Sequence, residues 1–575
     1  MTRTATARPV PRPVARVRPA ALLAGALLCA SLLPAAWAYT TVAAAAEDAP
    51  APVPRFVEEA GKAGIDHVYS GPWEYFVGGG AAILDCDDDR RPDLFLAGGA
   101  SPAALFRNTS RAGGPLSFER QETGLPSRLL DQVTGAYPLD VDNDGKLDLV
   151  VLRVGENQIL RGTGGCRFEP ANRRFGFDGG RGWTTSFAAT FEKNAAYPTL
   201  AFGNYVDRSA PGSPWGTCDD NILHRALAGA AKAGAPDYSD GLRLTPGYCA
   251  LSMLFTDWNR SGEQALRISN DRHYYRGGEE QLWALPEGRP PRPYRRADGW
   301  RHLKIWGMGI ASTDLDGDGL PEFALTSMGD TKLQTLDRET DEMLPVYRDI
   351  AFDKGVTAHR PYTGEDMRPS TGWHAEFQDV NNDTLSDLFI AKGNVEAMPD
   401  FAAFDPDNLL IQQWSGQFVE HGEAAGIALD RRGRGGGLAD FNMDGLLDLV
   451  VVNREAPASL FRNLGGANPS AGKTRPLGNW LSVGLAQGGS NRNAVGAKLS
   501  IRVGARSLTR EIQVGGGHAS GQSGFVHVGL GVAERAVIRV RWPDGDWSHG
   551  YRVFANQFVL IDRGADDVRY WYPPR

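Results

Sequence analysis

Residues 140–148 read Asp-Val-Asp-Asn-Asp-Gly-Lys-Leu-Asp and place carboxylates at positions 1, 3, 5 and 9 of a nine-residue run. The same spacing, with Asn or Glu at some positions, begins again at Asp85, Asp314, Asp379 and Asp440. Carboxylates crowded into so short a loop repel one another unless a hard cation neutralises them, and oxygen-only ligands at this density suit calcium better than a transition metal. The five runs therefore predict calcium-binding loops.

The predicted ligands are the side chains at positions 1, 3, 5 and 9 and the backbone carbonyl at position 7, for about five calcium ions in total. In chain order they are Asp85, Asp87, Asp89, Arg91 and Asp93; Asp140, Asp142, Asp144, Lys146 and Asp148; Asp314, Asp316, Asp318, Leu320 and Glu322; Asp379, Asn381, Asp383, Leu385 and Asp387; and Asp440, Asn442, Asp444, Leu446 and Asp448.

Position 6 of each run requires a sharp bend that glycine adopts at little steric cost. Gly145, Gly319 and Gly445 meet this requirement, whereas Arg90 and Thr384 are predicted to be strained or to weaken their loops. An EF-hand is excluded because position 12 is apolar instead of Glu, and an apolar run that is typical of a buried strand follows each loop. The alternative, a set of solvated acidic turns without an ion, is less compatible with five copies in register.

The amino terminus has the pattern of a secretory signal. Arginines precede an apolar stretch that ends in Ala36-Trp37-Ala38, a small-x-small cleavage site. We therefore predict a signal peptide over residues 1–38, cleaved after Ala38, and a secreted or periplasmic mature chain without a membrane span. A retained anchor is the alternative, although Pro34 interrupts the apolar stretch, which is short for a spanning helix.

Charge and cysteine content agree with export. Removing five arginines takes the formal net charge from −8 to about −13, and this acidity argues against a nucleic-acid partner. Four cysteines remain, namely Cys86, Cys166, Cys218 and Cys249. Cys218 and Cys249 flank a long insertion and are the first choice for a disulfide, but four cysteines allow three pairings, and unpaired thiols stay open as an alternative.

Two degenerate copies fill the gap between the second and third runs. Residues 257–265 keep Asp257 and Gly262 but have Ala265 at position 9, and a fainter copy begins at Thr190. Both are predicted to bind no ion. With them the chain has seven units spaced 50 to 67 residues apart, which is the size of a four-stranded propeller blade. Seventy glycines and 36 prolines also favour an all-β protein.

The ends of the repeat array predict how the ring closes. Residues 56–65 closely parallel residues 418–427, the final segment of the sixth unit, and the seventh unit lacks its own copy after Asn463. A strand from the start of the mature chain should therefore complete the seventh blade and protect its edge. The predicted fold is a seven-bladed β-propeller over residues 55–463, after an amino-terminal linker at 39–54.

The acidic loops resemble the FG-GAP (VCBS-type) repeats of integrin α-subunit propellers, and residues 55–563 resemble the secreted family that includes cartilage acidic protein. The motifs Gly515-Gly-Gly-His-Ala-Ser-Gly-Gln-Ser523, Val528-Gly-Leu-Gly531 and Trp542-Pro-Asp-Gly545 look like an ASPIC/UnbV domain, with Gly521 as a departure from the usual form. We expect a linker at 464–477, a small β domain at 478–563 and a frayed tail at 564–575.

The resemblance implies binding or scaffolding for a protein or glycan ligand, with structural calcium. A second hypothesis is an accessory enzyme of enediyne-type natural-product biosynthesis, because the UnbV name marks members associated with such clusters. Its site would lie in the propeller channel, where His374, Glu376, Trp306 and Trp373 could surround a pocket and His302 is near in sequence. No third ligand is evident, and aromatic packing between blades is the alternative.

Overall fold

The computed structural model describes residues 50–574 except 211–216, 228, 230–233, 272–277, 339–342, 358–367, 397, 403–404 and 467–475. The chain divides into Met1–Ala49 and Pro50–Arg575, and the description below concerns the second unit. The predicted signal peptide and most of the predicted linker at 464–477 lie outside the described residues.

Six sheets follow one another along the chain within the described residues, each with four antiparallel strands that are consecutive in sequence, and the first sheet has a fifth strand that is described below. Their strands are β2 (Ala81–Leu84), β3 (Asp93–Leu96), β4 (Ala104–Asn108) and β5 (Phe118–Gln121); β6 (Val133–Leu139), β7 (Asp148–Arg153), β8 (Gln158–Gly164) and β9 (Arg167–Pro170); β10 (Thr184–Thr190), β11 (Thr199–Asn204), β12 (Asn221–His224) and β13 (Gly241–Leu244); β14 (Ala250–Thr256), β15 (Ala265–Asn270), β16 (Gln281–Ala284) and β17 (Arg292–Pro293); β18 (Gly307–Thr313), β19 (Glu322–Ser327), β20 (Lys332–Leu336) and β21 (Tyr347–Asp349); and β22 (Gly372–Gln378), β23 (Asp387–Lys392), β24 (Asn408–Gln412) and β25 (Phe418–Glu420).

A seventh sheet joins the two ends of this array. It contains β26 (Gly433–Ala439), β27 (Asp448–Asn453) and β28 (Ser459–Asn463), and its outer strand is β1 (Phe56–Glu58) from the start of the chain. Phe56 pairs with Asn463 and Glu58 with Phe461, antiparallel. Glu59 then accepts two hydrogen bonds from the Arg462 guanidinium, at 2.9 and 2.8 Å. The predicted closure of the last blade by the amino-terminal strand is therefore what the structure contains.

The first strand of each sheet lies against the first strand of the next, and β26 lies against β2, so the sheets form a closed ring. The strands that follow the acidic loops, such as β7 and β27, are buried along their whole length, which explains their continuous apolar sequence. Short helices follow three outer strands: α1 (Ala60–Ala63), α2 (Ala351–Lys354) and α3 (Gly422–Ala425). The predicted all-β propeller is confirmed. Single 3₁₀ turns lie at Trp73–Tyr75, Ser127–Leu129 and Arg296–Asp298.

The carboxy-terminal domain consists of two further four-stranded sheets around their own apolar core. One has the order β33-β29-β36-β37 and the other the order β31-β30-β34-β35. The strands are β29 (Asn479–Ala486), β30 (Lys498–Val503), β31 (Arg506–Glu511), β33 (Val526–Gly531), β34 (Arg535–Arg541), β35 (Tyr551–Phe554), β36 (Gln557–Asp562) and β37 (Arg569–Trp571). The remaining strand, β32 (Gly521–Gln522), belongs to the first blade, where it pairs in parallel with β2.

The expectation of a frayed tail is wrong, because β37 pairs with β36 and Trp571 packs against Phe525 and Phe558. Within the predicted amino-terminal linker, Ala51 is buried, and its N–H donates to Gln413. Tertiary contacts therefore reach residues near both ends of the described chain.

Two disulfides link neighbouring parts of the ring. The predicted Cys218–Cys249 bond is confirmed, and it joins the insertion after β11 to the start of β14. The second, Cys86–Cys166, joins the first acidic loop to the hairpin between β8 and β9. Among the described residues, no helix has the length and apolarity needed to cross a membrane.

Candidate calcium loops and the domain junction

The loops between the first and second strands of the blades are numbered here by blade: loop 1 (85–93), loop 2 (140–148), loop 3 (190–199), loop 4 (257–265), loop 5 (314–322), loop 6 (379–387) and loop 7 (440–448). In loop 2 the position-1 carboxylate of Asp140 accepts the N–H groups of Asp144 and Gly145, at 3.1 and 3.0 Å. Asp144 in turn accepts the N–H of Lys146, at 2.8 Å. Loops 1, 5, 6 and 7 share the bonds from position 6 to position 1 and from position 7 to position 5, so all five turn the same way.

The position-9 carboxylate fastens each loop to its blade. Asp148 accepts the N–H of Val141 in its own loop and that of Gly162 in the third strand, both at 2.9 Å. Asp93, Asp387 and Asp448 make the same pair of contacts. Glu322 instead accepts from Leu315 and from the hydroxyl of Thr335. Position 9 therefore stabilises the blade as well as facing the candidate ion site.

The acidic side chains converge within single loops. In loops 1, 2 and 5, one ligand atom each from positions 1, 3 and 9 lies within 4.8 Å of the others. Burial, together with the neighbouring carboxylates, raises the pKa of Asp85 to about 6 and that of Asp93 to about 8. Burial likewise raises the pKa of Asp140 to about 6 and that of Glu322 to about 7. A cation placed among these carboxylates would favour their ionised forms and lower these pKa values.

Two predicted ligand oxygens at position 3 have no hydrogen-bond partner within the described residues. They are Oδ1 of Asp87 in loop 1 and Oδ1 of Asn442 in loop 7, and both are buried. Buried acceptors are normally paired, so an unpaired one at the predicted ligand position requires an explanation. A bound calcium ion explains the unpaired oxygens, since all the predicted metal ligands of these loops are oxygen atoms. The residues present therefore fit the ion that the sequence predicts.

Position 6 adopts the left-handed conformation in all five loops. The φ angles are +91° at Gly145, +88° at Gly319 and +84° at Gly445, but also +66° at Arg90 and +82° at Thr384. Left-handed backbone costs a side chain about 1–2 kcal/mol. The strain predicted for Arg90 and Thr384 is therefore present as backbone geometry.

The acidic side chains of loops 3 and 4 pair with cationic side chains from other parts of the chain. In loop 3 the Arg225 guanidinium donates to both carboxylate oxygens of Glu192, at 2.7 and 2.8 Å. In loop 4 the ammonium of Lys498, from the carboxy-terminal domain, lies 2.9 Å from Asp257. These contacts involve residues that the sequence did not single out.

A segment of the carboxy-terminal domain, Val514–Gln522, lies in the propeller channel and is called the plug below. It forms bridges with Ala189, Ile310 and Ala136, and its last residues pair with β2. Within the plug, the Ser520 hydroxyl accepts the N–H groups of Ala81 and Gly436, at 3.0 and 3.1 Å. Backbone groups of several blades are therefore joined to one central strand.

Glycine makes room for the plug. A Cβ atom on Gly135 of β6 would lie 2.2 Å from the carbonyl oxygen of Ala519, which no side chain tolerates. Gly517 in the plug has φ +56°, and a Cβ there would lie 2.3 Å from the His374 ring. The glycine-rich run Gly433–Gly437 is part of β26, the first strand of the seventh blade. These inner-strand glycines were the available signal for a plug that the sequence analysis missed.

The predicted channel site is only partly assembled. His374 accepts the N–H of His518 at Nδ1 (3.1 Å), and its Nε2 lies 3.6 Å from Glu376 Oε2. Both side chains line a cavity of about 450 Å³ between the propeller and the carboxy-terminal domain. Trp373 instead packs against His518 in the channel, with ring centroids 5.0 Å apart.

The other predicted channel residues lie elsewhere. His302 forms an ion pair with Glu279, and Trp306 accepts the N–H of Met328 through its carbonyl group. Neither lines the cavity. Gln522 of the plug, which the sequence did not suggest, donates to Glu376 at 2.7 Å. The plug lies in the channel where the sequence analysis placed a candidate pocket, and His374 and Glu376 line a cavity at the domain junction.

Comparison with known families agrees with this architecture. A model of FG-GAP-like repeats matches residues 85–151, and a model of ASPIC and UnbV matches residues 487–568. Cartilage acidic protein 1 of Homo sapiens is 34% identical over 140 residues, 22% of this chain and 19% of that protein. The protein of the same name from Mus musculus is 35% identical over 164 residues, 27% of this chain and 22% of that protein.

The chain therefore matches about a fifth of the length of these curated relatives. Among solved structures, Sqt1 of Saccharomyces cerevisiae superposes with a TM-score of 0.38 at 12% identity, covering 73% of this chain and 100% of that one. The fold assignment depends on the sheet topology and not on this superposition. The chain is a β-propeller protein whose residues 85–151 match FG-GAP-like repeats and whose residues 487–568 match ASPIC and UnbV, and it is similar over part of its length to cartilage acidic protein 1.

Proposed function

We propose that this protein is an exported interaction module whose propeller is stiffened by calcium in loops 1, 2, 5, 6 and 7. The observation that carries the proposal is the pair of buried, unpartnered ligand oxygens on Asp87 and Asn442, at equivalent positions of two acidic loops. Calcium would be held by the predicted side chains at positions 1, 3, 5 and 9 and the carbonyl at position 7. The ion neutralises the carboxylates and keeps each loop closed.

The placement of the loops supports a structural role for the ions. Asn382 in loop 6 contacts His527 of the carboxy-terminal domain at 2.6 Å, and Asn143 in loop 2 accepts the N–H of Asn491 at 2.7 Å. Met443 in loop 7 packs with Trp480. Since the carboxy-terminal domain covers these loops, a protein or glycan ligand would bind another surface. We propose that such a ligand is the partner, with neither nucleic acid nor membrane involved.

Export is proposed from the signal-like amino terminus and the two disulfides, which form in oxidising compartments. The same compartments supply calcium at high concentration. The proposed location is therefore outside the cell or in a periplasm, with the calcium loops loaded there.

Metal analysis of the purified mature protein tests the calcium proposal. We expect about five calcium ions per chain after equilibrium dialysis, and about one fewer in Asp142→Ala, which removes a ligand of loop 2. Asp353→Asn, an exposed acid in α2, is the matched control and should keep all the ions. An absence of calcium uptake at millimolar supply would refute the proposal.

A second candidate function is an accessory enzyme of natural-product biosynthesis, supported by the cavity that His374 and Glu376 line. An imidazole and a carboxylate at this spacing can exchange protons or hold a transition metal. The same metal analysis separates the two candidates. Copper, iron or zinc in addition to calcium, lost in His374→Ala, would favour the enzyme, whereas calcium alone would favour the interaction module.

A further inference from the structure

Loop 4 keeps the backbone conformation of the calcium loops although it has lost most of the ligands. Gly262 has φ +89°, and its N–H donates to Asp257 at 3.1 Å, as Gly145 donates to Asp140 in loop 2. The Asn259 side chain accepts the N–H of Ser261 at 3.3 Å, and the Ser261 hydroxyl accepts the N–H of Glu263 at 3.2 Å. Loop 4 therefore keeps the hydrogen-bonded turn that the acidic loops share.

Only one carboxylate remains at the side-chain ligand positions of loop 4. Ser261 stands at position 5 and Ala265 at position 9, which leaves Asp257 as the acidic group. Asp257 is 1% exposed, so its charge must be compensated inside the protein.

The compensating charge comes from another domain. Lys498, the first residue of β30, is also buried, and its ammonium lies 2.9 Å from Asp257 Oδ2. Arg541, paired with Lys498 across the sheet, lies 3.7 Å from the same oxygen. Glu511 lies 4.0 Å from the ammonium and also binds Arg260 of loop 4, at 3.3 Å. The network connects the fourth blade to the carboxy-terminal domain.

In loops 1, 2 and 5, guanidinium groups pair with carboxylates at positions 3 and 5, as Arg161 does with Asp142 and Asp144 of loop 2. The position-1 carboxylates of the five intact loops differ from Asp257. Within the described part of the chain, none of their position-1 carboxylates, Asp85, Asp140, Asp314, Asp379 or Asp440, forms an ion pair with Lys, Arg or His. Asp257 does. A divalent ion in loop 4 would be repelled by the buried Lys498 ammonium and would find a single carboxylate.

We propose that the ammonium of Lys498 takes the place of a metal ion as the cation bound in loop 4. The site then fastens the carboxy-terminal domain to the propeller in a way that does not depend on calcium. Contacts of that domain with loops 2, 6 and 7 depend on ion-stabilised loops, whereas the contact with loop 4 persists when calcium is removed.

Substitutions at both partners, measured with calcium and with EGTA, test the proposal. Lys498→Met leaves Asp257 buried and unpaired, and we expect the unfolding midpoint to fall by at least ~3 °C under both conditions. The double variant Asp257→Asn/Lys498→Met removes both charges and should recover at least half of that loss. Lys332→Met, which breaks a partly exposed pair with Asp349, is the matched control and should shift the midpoint by less than ~1 °C.

Metal content gives the second readout. Asp257→Asn should bind as much calcium as the unaltered protein, and a loss of one ion per chain would overturn the proposal. So would a Lys498→Met midpoint within ~1 °C of the unaltered protein, or a double variant no more stable than Lys498→Met. If Lys498→Met does not fold, the double variant and the metal content of Asp257→Asn decide. Because the stability comparison is repeated in EGTA, it holds even if the calcium proposal fails.

Discussion

Loops 2 and 4 have the same turn but different charge compensation. Both have a glycine with φ near +90° at position 6 whose N–H donates to the position-1 carboxylate. Loop 2 has four carboxylates, of which Asp142 and Asp144 pair with Arg161, and the proposed calcium ion, whereas loop 4 has one carboxylate and the Lys498 ammonium. The two loops therefore share the backbone hydrogen bond at position 6 and differ in the charges that compensate their carboxylates. A blade can therefore lose its metal ligands without losing its shape.

The largest expected effect separates the two kinds of loop by chelation. EGTA should lower the hydrogen-exchange protection of loops 1, 2, 5, 6 and 7 by roughly 100-fold each, because an ion present at 100 times its Kd contributes about 2.7 kcal/mol. Loops 3 and 4, with Arg225 and Lys498 as cations, should keep their protection. Exchange measured by mass spectrometry with calcium, with EGTA and with magnesium in place of calcium resolves the loops.

Equal loss of protection in all seven loops would remove the distinction between metal-held and side-chain-held loops. Unchanged protection everywhere would mean that the acidic loops are stable without an ion.

The plug contains a fully buried histidine, His518, and its stability should therefore respond to pH. Burial, followed by Arg434 and His374, lowers the pKa of His518 to about 3, while the Met308 carbonyl raises it slightly. Between pH 6.5 and about 3 the unfolded state binds a proton that the folded state excludes. The contribution of His518 to the free energy of unfolding is therefore fully present above pH 6.5 and decreases as the pH falls, by ~3 kcal/mol at pH 4.5.

Denaturant unfolding from pH 7.5 to 4.5 checks this, with His518→Gln as the comparison because glutamine does not titrate. The free energy of unfolding should fall more steeply in the unaltered protein. Parallel pH profiles would show that His518 is not held neutral.

A smaller effect is expected in loop 3. Arg225→Met leaves the partly exposed Glu192 carboxylate without its bidentate partner. We expect about 1–2 kcal/mol of destabilisation, the same with calcium or EGTA. Urea unfolding under both conditions provides the measurement, and Arg243→Met, whose pair with Asp220 is more exposed, is the control. A destabilisation seen only with EGTA would mean that loop 3 also binds calcium.

The smallest effect concerns position 6 of the calcium loops. Arg90 has φ +66° and is exposed, so Arg90→Gly removes backbone strain and little else. The gain is reduced by the greater entropy of glycine in the unfolded chain, and we expect ~0.5 kcal/mol or less of net stabilisation. Calcium titration should show slightly tighter binding at loop 1. Weaker binding would mean that Arg90 contributes to the loop through contacts of its side chain.

The sequence predicted features that arise from local pattern. The acidic spacing located the loops, and the likeness of residues 56–65 to 418–427 located the strand that closes the ring, as the pairing of Phe56 with Asn463 confirms. The Cys218–Cys249 bond was predicted because both residues flank one insertion, while Cys86 and Cys166 are brought together by neighbouring blades.

Features that depend on distant partners were missed. The plug overlaps the glycine-rich motif that the sequence assigned to the carboxy-terminal domain, but its contacts with the blades are made mainly by backbone groups and the small side chain of Ser520, so the motif did not indicate where it lies. Lys498 and Asp257 are 241 positions apart, and neither is unusual by itself. The tail was misjudged because its order depends on Trp571 reaching Phe525 and Phe558. Such pairings arise only after the chain has folded.

The strand order also sets a timetable for assembly. Phe56 must wait for Asn463, about 400 residues later, before the first and last blades can join. During synthesis from the amino end, the ring of sheets therefore stays open, and β1 has no partner strand until β28 has been made. The ring therefore closes late, and the plug is synthesised later still. Chains that stop before β28 leave β1 without its partner strand and should consequently be prone to edge-to-edge association.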